Sequence, residues 1–313
     1  MEGKRGQNKI LMEFLPYTIK WLEAILRWGH VLFAILWVGN SFLFNYLDNK
    51  LNKNITSKEI DGEGYLMHSG YYYKLMRLKT SPPIDYINRL VIFKWQSYLT
   101  FITGILLLAV IYYKNAGLLI VDRKGIQFSP LTAISLSLLS LIIGWIIYDL
   151  ICKSSLINNK NAFLAISIII LFLGSYVLTE LFSAKFAFLS VGLILGTNMF
   201  GNVFTVIIPN QMNIINSSKR NEKFDMSLSL AAKQRSIHNN YLTFLVLFTM
   251  LSGHYSFIVY HKYSWIILGL IGIILALTRH YFNLRGRNIH RLYILISSII
   301  SFIVLAFLVV YFK

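Results

Sequence analysis

The stretch "KQRSIHNNYLTF" places Arg235, His238, Asn239 and Tyr241 just ahead of the apolar run "LVLFTMLSGHY". On a helix Arg235, His238, Asn239 and then Tyr241 or Leu242 fall at i, i+3, i+4 and i+6 or i+7, so they share one face. Other polar residues sit at the ends of apolar runs: Asp149 in "GWIIYDLICKS", Asp48 in "FNYLDNK", Asn198 and Asn202 in "LGTNMFGNVF", and His280. Together they offer a guanidinium, carboxylates, imidazoles and amides, the set that a planar heterocyclic anion would match. In that reading Arg235, Asn239, Tyr241 and Asn198 bind, and His238 or Asp149 removes a proton. The competing reading is structural, because Asp, Asn and Arg cap membrane helices and Tyr and Trp belong at their interfaces.

A second set is more apolar in its surroundings. His30 in "RWGH" and His254 in "LSGH" each follow a glycine, which would let a flat macrocycle approach the backbone. One imidazole on either side of an iron is the ligand set of a b-type haem. The alternative is two buried histidines bonded to neighbouring groups. His280 is a third candidate ligand. His238 and His254 lie 16 residues apart, or ~24 Å on one helix, so they would belong to two different sites. The single cysteine, Cys152, rules out an intramolecular disulfide, and CxxCH, HExxH and Gly-rich phosphate loops are missing.

These residues need elements that can hold them in lipid. The chain has 313 residues, 56% of them hydrophobic and 14% charged. Apolar runs of about spanning length recur, and in lipid the backbone must satisfy itself, which requires helices. The expected fold is an all-α polytopic membrane protein. Eight spans are expected near residues 24–46, 92–113, 131–151, 161–181, 185–208, 240–260, 264–283 and 292–312. Residues 1–313 are read as one transmembrane domain with long connections at about 47–91 and 209–239. Phe224, Met226, Leu228 and Leu230 of the second would lie on the membrane surface. The start, "MEGKRGQNKILMEF", lacks the long apolar core of a cleavable signal.

Of the 30 Lys and Arg residues, 19 fall on the side of the two long connections. The positive-inside rule then puts those connections inside and both termini outside. The net charge of +17 suits anionic headgroups and requires no nucleic-acid partner.

Several ordered strings carry a family resemblance. "LRWGHVLFAILWVGNSFLFNYLDN", "HSGYYYKLMRLKTSPP", "FKWQSYLTFITGILLL", "IGWIIYDLIC", "KQRSIHNNYLTFLVLF" followed by "LSGHY", and "RHYFNLRG" resemble the membrane-bound urate hydroxylases, the cytochrome-c-linked urate oxidases of bacteria. The resemblance implies eight helices in the bacterial cytoplasmic membrane, urate as substrate and 5-hydroxyisourate as product. It also implies electron transfer to a cytochrome c outside the membrane. In the family that cytochrome is a fused domain after the last helix. This sequence stops at Lys313 with no CxxCH, so a separate c-type cytochrome is the expected acceptor. A haem b between His30 and His254 would relay electrons across the bilayer. Two further departures are Gln96, where an acidic residue is expected in many relatives, and Gly253, where a polar one is common. A purine or urate permease and a haem-bearing electron-transfer subunit are the alternatives.

Overall fold

The computed structural model describes residues 2–120, 128–223 and 225–312, with side chains from Phe14 onward. The long helices are α1 (Glu2–Lys50), α3 (Trp95–Leu107), α4 (Pro130–Lys153), α5 (Lys160–Leu181), α6 (Ala184–Gly201), α8 (Met226–Met250), α10 (Ser264–Gly286) and α11 (Leu292–Tyr311). Shorter ones are α2 (Ile84–Ile87), α7 (Ile208–Lys219) and α9 (Ser256–Val259). Among the described residues seven helical stretches are long and apolar enough to span a bilayer. The exception is α8, whose first half carries Lys233, Arg235, His238 and two asparagines. It packs inside the bundle all the same, against α6 and α10. The protein is a multi-pass helical membrane protein. Its apolar outer surfaces, such as Trp21, Trp28 and Ile35 on α1 and Ile299 and Phe307 on α11, are exposed in the isolated chain. Lipid would cover them.

The expected connections prove largely structured. The segment after α1 forms an antiparallel hairpin, β1 (Ile60–His68) with β2 (Tyr71–Leu78). Its tight turn uses Ser69 and Gly70, both at positive φ. Between residues 209 and 239 there is almost no loop. Pro209 had marked the end of a span, yet the helix runs on from Ala184 to Lys219. The physical reason is a π-helical turn at Asn202–Ile207 just ahead of Pro209. Proline removes one backbone donor and crowds the carbonyl four residues back; a wider turn accommodates both. After a turn at Arg220 and Asn221, α8 begins at Met226, capped by Asp225, whose carboxylate accepts from the Ser227 N–H at 2.8 Å. Phe224 lies outside the described residues; Met226 and Leu230 are exposed.

The expected sixth span, 240–260, is shifted. Its helix ends at Met250, and a 3-10 turn, Ser252–His254, follows. Ser252 to Ser256 includes two serines and a glycine in five residues, a composition that favours turns over helix.

Helix α6 sets the internal layout. Its first half buries Phe186, Phe188 and Val191 in an apolar core with Phe182, Leu268 and Ile271. Its last turns bury Asn198 and, at the π turn, Asn202. Phe186 in the apolar layer and the two asparagines are therefore ~18–24 Å apart along one helix. Glycines let the neighbours come close. A Cβ on Gly192 would lie 2.2 Å from Thr249 of α8, and one on Gly201 would lie 2.4 Å from the Trp145 ring of α4.

Candidate functional site

The polar layer is built where α4, α6 and α8 meet. Arg235 is buried, and its guanidinium donates to Asp149 Oδ1 at 2.7 Å and to Asn202 Oδ1 at 3.0 Å. Lys153 reaches the other Asp149 oxygen at 2.6 Å. Arginine can only donate, so its contact fixes the Asn202 amide with oxygen towards Arg235. The Asn202 nitrogen then donates to Asn239 Oδ1 at 2.7 Å and to the Tyr148 hydroxyl at 2.8 Å. Asn239 passes its own N–H to the Met199 carbonyl at 3.0 Å. With its oxygen already accepting, the Tyr148 hydroxyl is set to donate to His238 Nδ1, 2.9 Å away. Cys152 Sγ lies 3.7 Å from the same nitrogen. The His238 ring stacks on Phe163, with centroids 4.8 Å apart.

Four of the residues expected in one site are therefore brought together: Asp149, Arg235, His238 and Asn239. The single shared face on α8 does not hold for Tyr241, which points elsewhere and bonds His280 Nδ1 at 2.7 Å. Asn198 is buried nearby on α6, and its Oδ1 has no hydrogen-bond partner. Asp48 belongs to another cluster, paired with Arg77 of the hairpin and with Lys233 at 3.0 Å.

A second polar cluster, on the α10 side of α8, was not anticipated. Arg279 donates from Nε to Asn240 Oδ1 at 2.8 Å, and Asn283 donates to the same oxygen at 3.0 Å. Arg279 also stacks over Phe42, 3.8 Å from the ring centroid, and faces Phe244 at 5.7 Å. It lines a cleft of about 560 Å³ between the ends of α1 and α10, together with Asn45, Asn49, Lys50, Arg285 and His290. The available signal was "TRHYFN": Arg279 and Asn283 are four apart, so they share a helix face, and apolar residues precede them.

The two histidines expected to flank a haem sit differently. His30 is half-buried on α1; its Nδ1 lies 2.9 Å from the Thr100 carbonyl and 3.1 Å from Thr103 Oγ1. Nδ1–H donation to the carbonyl leaves Nε2 as the nitrogen able to bind a metal. His254 is exposed on the 3-10 turn and is not part of the helix that carries His238. Among the described residues no group of three or more His, Cys, Asp or Glu side chains could hold a metal ion.

No curated protein and no solved structure matches the chain. The sequence profile described as "Urate oxidase N-terminal" matches residues 16–310. That match runs from about four turns into α1 to the last turn of α11 and takes in both polar clusters, so the chain belongs to the urate oxidase N-terminal family.

Proposed function

We propose that the protein oxidises urate to 5-hydroxyisourate in the cytoplasmic membrane and passes the electrons to a separate c-type cytochrome. The observation that carries this reading is the family match across nearly the whole membrane domain. The reaction adds water to urate and releases two protons and two electrons. Two ferric c-type cytochromes take the electrons. Purine breakdown is the process such a reaction would serve.

The protons need an acceptor, and we place His238 in that role. Its Nδ1 receives the Tyr148 hydrogen bond, so a proton would reach the imidazole through that phenol. Asp149 is the shared counter-charge of Arg235 and Lys153. A haem b on His30 and His254 would supply one-electron transfer. The free Nε2 of His30 supports it. A dithionite-reduced spectrum showing a b-type band that is lost in His30→Ala would support this relay. A colourless, folded and active protein would remove it.

The test of the main reading is urate loss and ferric cytochrome c reduction by membranes carrying the full chain. His238→Ala should slow both by roughly 10²–10⁴-fold, the usual contribution of a positioned acid–base group. Radiolabelled urate carried unchanged into proteoliposomes, with no hydroxyisourate formed, would replace oxidation by transport.

A further inference from the structure

We infer that the cleft between α1 and α10 is the binding site for a small heterocyclic anion, with Arg279 as its charge-recognising residue. This rests on the urate reading for the identity of the ligand, and on geometry alone for the place.

The two buried arginines of the bundle differ in one respect. Arg235 has Asp149 at 2.7 Å. Arg279 is only 7% exposed, yet among the described residues no carboxylate pairs with it. Its protein partners are one neutral amide oxygen and two aromatic rings. A buried guanidinium without a counter-charge is costly, and cation–π contacts offset that cost only in part. An incoming anion would supply the missing charge.

The rest of the cleft fits the same ligand. Lys50, Arg285 and His290 line it, and no Asp or Glu does. Asn45 and Asn49 add amides able to meet ring N–H and C=O groups. The volume, about 560 Å³, lies within the usual range for small-molecule sites. Behind Arg279, Asn240 is 1% exposed and Asn283 8%. Asn240 Nδ2 and Asn283 Oδ1 are buried without partners. One donor and one acceptor therefore remain unused beside the guanidinium, an unusual debt for a buried site. A headgroup phosphate shares the anionic charge, so the test must separate the two sources.

The experiment is equilibrium dialysis of labelled urate against the purified full chain. It is run in phosphatidylcholine nanodiscs, with and without phosphatidylglycerol, and cytochrome c reduction is followed on the same samples. Wild type should bind urate saturably in both lipids. Arg279→Gln should weaken binding at least tenfold, and Arg279→Lys should restore part of it. Asn45→Asp, which puts a carboxylate into the cleft without touching the Arg279–Asn240 bond, should also weaken binding at least tenfold with an unchanged melting temperature. Wild-type affinity in both Arg279→Gln and Asn45→Asp overturns the site, as does an absence of urate binding by wild type. Binding that disappears when phosphatidylglycerol is present assigns the cleft to a lipid headgroup and overturns it as a urate site. If the site variants lose binding but wild type never reduces cytochrome c, the site stands and oxidation falls. If turnover is intact in variants with intact binding, oxidation stands and the site falls.

Discussion

Tyr148 and His238 form a pair whose proton position follows from neighbours. The Asn202 N–H occupies the phenol oxygen, so the phenol hydrogen points to His238. Tyr148→Phe should keep the fold while removing that hydrogen. Its expected result is a turnover loss smaller than that of His238→Ala and a displaced pH profile, measured by cytochrome c reduction from pH 6 to 9. The Asp149–Arg235 bridge gives a second prediction. Asp149→Leu leaves the buried guanidinium without its counter-charge and should cost about 3–5 kcal/mol. The double variant Asp149→Leu/Arg235→Met should cost less than Asp149→Leu alone; denaturant unfolding in detergent measures both. At this scale the sequence made Arg235, His238, Asn239 and Asp149 visible, since charged and imidazole groups stand out against apolar runs. Arg279 was hidden because it sits among Arg285, Arg287 and Arg291 and reads as one more basic residue at a helix end. Only its burial separates it from them.

The helices were legible as apolar runs, and their ends were not. Pro209 carries a strong stop signal, but the π turn at Asn202–Ile207 absorbs it, a tertiary effect that no local pattern shows. The end of α8 was misjudged for the opposite reason: the apolar run continues past Met250 while the hydrogen-bonded helix does not. Close packing predicts where this layer is least tolerant. Gly201→Ala would put a methyl group against the Trp145 ring and should destabilise by about 1–3 kcal/mol. Because Gly201 adjoins Asn202, turnover should fall as well, whereas Gly174→Ala, which meets open space, should leave both unchanged. The cap of α8 has its own pH signature. Hydrogen bonds from the Ser227 hydroxyl and N–H hold the Asp225 carboxyl below its usual pKa. Its contribution is complete above the ordinary carboxylate range and disappears as pH falls through the lowered value. Asp225→Asn should remove that acid sensitivity from the thermal melting curve.

For the molecule as a whole, composition and periodicity were enough to give a multi-pass helical protein. They could not show that the segment after α1 folds into a hairpin. There Tyr71, Tyr72 and Tyr73 stand exposed and Arg77 ties the strands to Asp48. The Lys/Arg bias predicts that this hairpin lies inside the cell and the loop after α3 outside. Cys152 is buried and is the sole native thiol, so single-cysteine labelling can test this directly. In intact cells a membrane-impermeant maleimide should modify Asn115→Cys and spare Ser57→Cys. The reverse pattern would invert the topology, and with it the side from which urate must arrive.

The arginine-anchored hydrogen-bond chain has a direction. Arg235 can only give hydrogens, so Asn202 must receive at its oxygen and give at its nitrogen, and the Tyr148 phenol must give onward to His238. Every bond on that path points the same way. A proton that Tyr148 surrenders returns from the histidine or from the Cys152 thiol beside it, because an amide N–H cannot supply a replacement. The chain works as a ratchet stop: the phenol exchanges protons only on the side of His238 and Cys152, and the bonded amides seal the opposite end against leakage.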